Sequence, residues 1–331
     1  ALPISHTSRS CTSSCKEERS TMILNTGQRT DIPAFYADWF LRRVREGSVM
    51  VRNPFNYQRI TSYRIDPEVV DVIAFCTKNP APMLGKLGEL AGYRQYWHVT
   101  ITPYDRDIEP NVPPAGEVIS SFRKLSGKVG KERTGWRYDP ILLTETFTPE
   151  RHICAFRDMA EKLEGSTESC VISFIDLYKK TIRNFPEAER VSNEIQYSMA
   201  ERMAKIGEQH GIHVSSCLED PGLAKIGIDT SGCMTKEKLE KAFNLKLKIP
   251  NIKTHQARQG CACLLGNDIG AYTTCPHLCK YCYANESPEA VIENRNKHDP
   301  HSPLLIGHVE KEDQVVEARQ ESWIDREISL F

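Results

Sequence analysis

Residues 69–79 read VVDVIAFCTKN. The first seven hold one polar residue, too unbroken a run for a strand with one face in water. A short apolar run of this kind suits a strand buried on both faces, as in a parallel sheet. It ends in the polar group CTKN (76–79). In parallel α/β sheets, chemistry gathers at such C-terminal strand ends.

The unit repeats. Strand-like runs recur at MILNT (22–26), WHVTIT (97–102), PILLT (140–144), CVISFI (170–175) and IHVSSCL (212–218). Polar groups follow at RTD (29–31), TPYDRDIEP (102–110), TET (144–146), DLYKK (176–180) and CLED (217–220). Helical patterns lie between. Asp31 is a candidate N-cap with Pro33 in the first turn, and Gly47 closes that segment. Thr148-Pro149 opens a helix whose Ile153, Phe156, Met159, Ala160 and Leu163 share one face, ended by Gly165. A third carries Val191, Ile195, Met199, Met203 and Ile206, ended by Gly211. The fold expected is α/β, a full or partial (β/α) barrel of the TIM type. Neither GxGxxG nor a P-loop is present, which argues against the usual dinucleotide and nucleoside triphosphate sites.

The 331 residues carry 43 Lys and Arg against 44 Asp and Glu, a formal charge of −1. No strong field draws the chain to nucleic acid or to an anionic membrane, and nucleic acid is unsupported as a partner. No apolar run approaches the ~20 residues that span a bilayer. Residues 1–21 are rich in Ser and Thr, lack the apolar core of a secretory signal, and read as a disordered extension carrying Cys11 and Cys15. Twelve cysteines in a chain this long point to a reducing compartment, hence a cytoplasmic location, and to metal or redox use. The expected organisation is an extension over 1–21, barrel repeats over 22–220, a cysteine-bearing insertion over 221–265, and over 266–331 a cluster strand, its loop and a helical segment completing the barrel.

Seven of the cysteines fall between Cys217 and Cys282. Three lie in CPHLCKYCYAN (275–285), with Cys275, Cys279 and Cys282 spaced C-x3-C-x2-C. Thiolates are soft ligands suited to iron–sulfur centres or zinc. Three of them on a four-iron cluster leave one iron without a protein ligand, as catalytic zinc sites keep a position open.

This loop, with Tyr281 just before its third cysteine, resembles the signature of the radical S-adenosylmethionine (SAM) enzymes. YAN after Tyr281-Cys282 is similar to the context in spore photoproduct lyase-like members. That family carries the loop after its first barrel strand, whereas here it is near the C-terminus. RTD, TKNP, ITPYDRDIEPNVPP and WRYDPILL resemble successive strand ends of lyase-like members in the same order. The chain therefore resembles a circularly permuted version over about residues 22–331. It also resembles a bacterial family of unknown function noted for a C-terminal radical-SAM-like cysteine cluster. The resemblance implies a barrel of the radical SAM type and a 4Fe-4S cluster on Cys275, Cys279 and Cys282 that binds SAM. One electron from a reductase or flavodoxin-type donor would cleave SAM to methionine and a 5′-deoxyadenosyl radical, which attacks an unknown substrate. Tyr281, Arg29, Asp31, Lys78, Glu109, Arg137 and Asp139 are the candidate cofactor contacts. Four of them have a plainer reading: Asp31 as a helix cap, Lys78 as a solvated loop residue, Arg137 and Asp139 as a structural ion pair. The GGE motif that contacts SAM elsewhere in that superfamily is absent, and TGQRTD (26–31) stands as its candidate replacement.

Cys217, Cys233, Cys261 and Cys263 form a second group, a candidate for an auxiliary iron–sulfur cluster or a structural zinc. Cys76, Cys154 and Cys170 read as core thiols. The alternative to an enzyme is a zinc- or iron–sulfur-binding module without SAM chemistry.

Overall fold

The computed structural model describes residues 23–217, 219–249, 262–264 and 266–325. The N-terminal extension, with Cys11 and Cys15, and Cys261 lie outside them.

The strands are β1 (Ile23–Asn25), β2 (Ser48–Arg52), β3 (Arg59–Arg64), β4 (Val72–Thr77), β5 (Gln95–Thr100), β6 (Thr134–Ile141), β7 (Ser169–Phe174), β8 (His213–Ser216), β9 (Asn267–Asp268) and β10 (Gln314–Glu317). The helices are α1 (Ile32–Phe35), α2 (Ala37–Glu46), α3 (Ala115–Val129), α4 (Pro149–Leu163), α5 (Lys179–Asn184), α6 (Asn193–Gln209), α7 (Lys236–Phe243) and α8 (Pro288–Asn296).

Seven strands form one sheet in the order β8-β7-β6-β5-β4-β1-β9, every neighbouring pair parallel. Helices flank it. The unbroken apolar run at 69–75 is explained by two-sided burial. Ile73 and Phe75 of β4 enter the large core shared with the helices, while Val72 and Ala74 enter a second apolar cluster on the other face. That second face is covered by Met234, Leu239, Ala242, Cys263, Leu264 and Trp323, from the cysteine-bearing segment and the C-terminal stretch. The sheet edges are β8 and β9, and among the described residues no ladder joins them.

Strand β9 comes last in the main sheet by sequence yet pairs with β1, Asn25 opposite Asp268. Counted from β9, the strands run across the sheet in chain order. This puts the cysteine loop that follows β9 at the C-terminal edge of a parallel sheet.

The helix stripes bury as their spacing requires. Ile153, Phe156, Met159, Ala160 and Leu163 of α4 are buried, and so are Met199, Met203 and Ile206 of α6. Cys154, one position off the α4 stripe, is exposed, and Cys76 is only partly buried, so of the three expected core thiols Cys170 alone is fully enclosed. The segment from Asp31 to Gly47 is two helices, broken at Tyr36, whose φ of −129° leaves the helical region. Two features went unread in the sequence. A β2–β3 antiparallel hairpin interrupts the βα rhythm between α2 and β4. The C-terminal segment, expected to complete the barrel, instead lays β10 parallel to β3 in a separate three-stranded sheet. All four β10 side chains are exposed, so this strand has no apolar stripe with which to enter the main sheet.

Candidate functional site

The cysteine loop is tied down along its length. Tyr36 Oη donates to Thr274 O at 2.6 Å, and Asn111 Nδ2 to Pro276 O at 2.8 Å. The Lys280 N–H donates to Ile108 O at 3.0 Å, and Thr181 Oγ1 to Tyr281 O at 3.1 Å. Asn285 closes the loop on itself by donating to Cys275 O at 2.8 Å. Leu278 turns the chain between Cys275 and Cys279 at φ +56°, a left-handed conformation costing about 1 kcal/mol for a residue with a Cβ. Strain of this kind persists where surrounding contacts fix the backbone, and it concentrates at functional sites.

The three thiols share one electrostatic space. Burial raises all three, with Asp31 and then Cys282 adding to the rise at Cys275, and Glu109, Cys282 and Cys275 adding at Cys279. Cys275 is approached by the backbone N–H groups of His277 and Asp31, and Cys282 by those of Ala284, at 3.4 Å, and Asn285. Lys78 pulls Cys279 and Cys282 back down, and Lys180 does the same at Cys282. Three thiols on one fixed loop, N–H donors directed at two of them and cations alongside form a donor set that fits an iron–sulfur cluster.

Four of the candidate polar residues gather at this loop. Asp31 accepts from the Ala34 N–H at 3.0 Å, capping α1, and from the Lys78 N–H at 2.7 Å, and it lies 2.9 Å from His277 Nε2. The cap reading of Asp31 holds, and the same carboxylate also anchors the cluster loop through His277. Glu109 is 3% exposed and accepts from Lys78 Nζ at 2.8 Å, from Thr102 Oγ1 at 2.8 Å and from the Tyr281 hydroxyl. Burial pushes the Lys78 ammonium down, but Glu109 and Cys279 outweigh it and hold it above its usual range. Lys78 is thus a buried cation facing the thiols, not a solvated loop residue.

The other three candidates lie elsewhere. Arg137 pairs with Asp139 on β6, and its charge acts on Cys233, Cys217 and Cys76. Arg29 sits 3.7 Å from Asp268 and 5.5 Å over the Tyr272 ring. It borders a cavity of about 720 Å³ lined also by Tyr178, Lys180, Tyr272, Thr274 and Tyr283.

The second sulfur group is formed from three distant segments. Cys217 Sγ lies 3.8 Å from Cys233 Sγ, which lies 3.2 Å from Cys263 Sγ, and all three are buried within 4.8 Å of one another. This group can hold a metal ion. Cys261, the fourth expected ligand, is outside the described residues.

Sequence reasoning also missed Thr102, Asn111 and Glu219 as individuals, although ITPYDRDIEPNVPP and CLED had marked their stretches. Glu219 accepts from the Phe174 N–H at 2.8 Å and Ser173 Oγ at 3.0 Å, and burial, with Asp176 and Asp139 nearby, pushes its pKa up to about 7. A carboxyl so placed can take up or release a proton near neutral pH.

Residues 23–284 match the model of a family described as a domain of unknown function, DUF1848. The chain belongs to the DUF1848 family. The DUF1848 span takes in both sulfur groups and ends two residues past Cys282. The chain matches no curated protein. No helix among the described residues is long and apolar enough to cross a membrane.

Proposed function

We propose that this DUF1848 protein is a radical SAM enzyme built on a circularly permuted partial (β/α) barrel, acting on a substrate still to be identified. The reading rests on one observation: a braced C-x3-C-x2-C loop at the C-terminal edge of a parallel sheet, facing Lys78, Glu109 and Asp31, with its own Tyr281 bonded to Glu109. The sheet order counted from β9 supports the permutation. When bound, the three-thiolate 4Fe-4S cluster supplies an iron for SAM and the electron that cleaves it, delivered by a reductase or flavodoxin-type donor.

The chain's own residues do the rest. Cys275, Cys279 and Cys282 hold the cluster, and Lys78 and Lys180 offset the charge that the thiolates gain on losing their protons. Asp31 fixes His277 and so the first half of the loop. Glu109 holds Tyr281 and Lys78 together beside Cys279. Glu219 is the candidate proton carrier. A reducing, cytoplasmic location accords with cysteines used as metal ligands rather than as disulfides.

Anaerobic reconstitution with iron and sulfide, then reduction with SAM present, tests this reading. The expected result is a brown protein whose EPR signal changes with SAM and which releases 5′-deoxyadenosine. Cys279→Ala abolishes that release. Release that survives in this variant, or a signal indifferent to SAM, removes the assignment. A metal-binding module without SAM chemistry is the second reading, favoured by the buried group of Cys217, Cys233 and Cys263. It predicts metal content with no SAM cleavage.

A further inference from the structure

The structure assigns a second, separate metal site to Cys217, Cys233 and Cys263: one thiophilic divalent cation, zinc by preference, that clamps the cysteine-bearing segment to the second apolar face of the sheet. This site stands whatever the 275–282 loop binds.

Spacing favours a single ion over a cluster. Zinc bonds thiolate sulfur at about 2.3 Å, and tetrahedral geometry then sets the sulfurs about 3.8 Å apart. The observed separations are 3.8 Å for Cys217–Cys233 and 3.2 Å for Cys233–Cys263. A four-iron cluster gives each thiolate its own iron and spreads them wider. Of the two readings the sequence left open, an auxiliary cluster therefore fits these three positions less well than a single zinc ion does.

The surroundings suit a charged thiolate centre. Two backbone N–H groups, of Cys233 at 3.1 Å and Met234 at 3.4 Å, donate to Cys263 Sγ. Gly232 adopts φ +120°, and a Cβ there would come within 3.0 Å of the same sulfur, so both conformation and space call for glycine. Binding a divalent cation displaces three thiol protons to solvent and leaves one net negative charge. Arg137 acts on Cys217 and Cys233. Lys238 is held at 2.7 Å from Gly232 O and 3.2 Å from Ser215 Oγ. These two cations offset that charge.

The location gives the ion a structural task. Its ligands come from the end of β8, the turn before α7 and the irregular stretch at 262–264. Between Gly227 and Ile249 the only regular element is the eight-residue α7. Yet this stretch, with Cys263 and Leu264, covers Ile23, Val72, Ala74, Tyr96 and Val171 of the sheet. A metal bond supplies the cross-link that sparse backbone pairing does not.

The test uses the full chain carrying Cys275→Ala, Cys279→Ala and Cys282→Ala together, so that the first site cannot contribute metal. Zinc, iron and acid-labile sulfide are measured, and cobalt(II) is titrated as a spectroscopic probe. We expect about one zinc per chain, no labile sulfide, and cobalt spectra with thiolate charge-transfer bands and intense tetrahedral d–d bands. Stripping the zinc lowers Tm by more than about 5 °C, and adding it back restores Tm. Adding Cys263→Ser abolishes the cobalt bands. Labile sulfide with several irons per chain, a Cys233–Cys263 disulfide in freshly reduced protein, or a Tm indifferent to zinc each overturns the assignment.

Discussion

Tyr281 and Glu109 are 172 residues apart in sequence, yet the tyrosine hydroxyl donates to the carboxylate oxygen that also receives Lys78 and Thr102. One nearly buried acceptor thus ties the cluster loop to β4 and to the loop after β5. Removing the charge is expected to cost far more than removing one donor. Glu109→Gln leaves the Lys78 ammonium without its counter-charge and lowers unfolding free energy by roughly 3 kcal/mol. Tyr281→Phe loses one hydrogen bond and costs about 1 kcal/mol. Urea unfolding of both variants checks this, and equal losses would contradict a central role for the carboxylate.

Asp31 makes a comparable three-way junction, at α1, Lys78 and His277. Asp31→Ala removes the cap and strands the Lys78 N–H and the His277 ring, for an expected loss of about 2–4 kcal/mol. His277→Ala leaves the cap and the Lys78 contact in place, so its stability loss is smaller. Both variants free the first half of the cluster loop and should retain less iron after reconstitution than the parent chain. Iron assays on the two variants separate the roles: unchanged iron in His277→Ala would make the contact purely structural.

The parts of this molecule legible in sequence are those written locally. VVDVIAF announces a two-sided buried strand because Val72 and Ala74 meet one core and Ile73 and Phe75 the other. The C-x3-C-x2-C loop is legible because all three cysteines lie within eight residues of one loop. The Cys217, Cys233 and Cys263 group was guessable only as a count of cysteines. Its separations of 16 and 30 residues follow from how the segment folds over the sheet, and no local spacing encodes them. The β2–β3 hairpin escaped for a different reason: it interrupts a βα rhythm that the flanking strands otherwise keep.

Gly27 lies in TGQRTD, the stretch that the sequence offers as a candidate replacement for a SAM-contacting motif. Its position has a packing explanation. A Cβ at residue 27 would lie 2.2 Å from the Cys76 carbonyl oxygen and 2.5 Å from Cys76 Cβ. The backbone of β4 cannot move aside without breaking its ladder with β1. Gly27→Ala should therefore destabilise the fold by about 3 kcal/mol or more. Gly85→Ala, where nothing lies within 4 Å, should change stability by under about 0.5 kcal/mol. A Gly27→Ala protein as stable as the parent would show that β1 and β4 are not packed this closely.

His152 sets an acid limit on the large core. It is fully buried, with Nε2 2.8 Å from Leu142 O and Nδ1 2.8 Å from the Tyr138 hydroxyl. A carbonyl only accepts, so Nε2 carries the proton and Nδ1 accepts from Tyr138. A second proton would put an N–H against that hydroxyl and a charge in the core. Burial accordingly pushes the His152 pKa down to about 4, against the Leu142 contact, which raises it. In the unfolded chain the group titrates near ~6.5, so between these values the unfolded state binds more protons. The stabilisation is complete above about pH 6.5 and is lost as pH falls towards 4, roughly 3 kcal/mol in all. His152→Gln should be less stable at neutral pH but lose less on acidification, because one titrating group is gone. Urea unfolding between about pH 7 and pH 4 distinguishes the cases: parallel curves for parent and variant would mean that other groups, and not His152, set the acid limit.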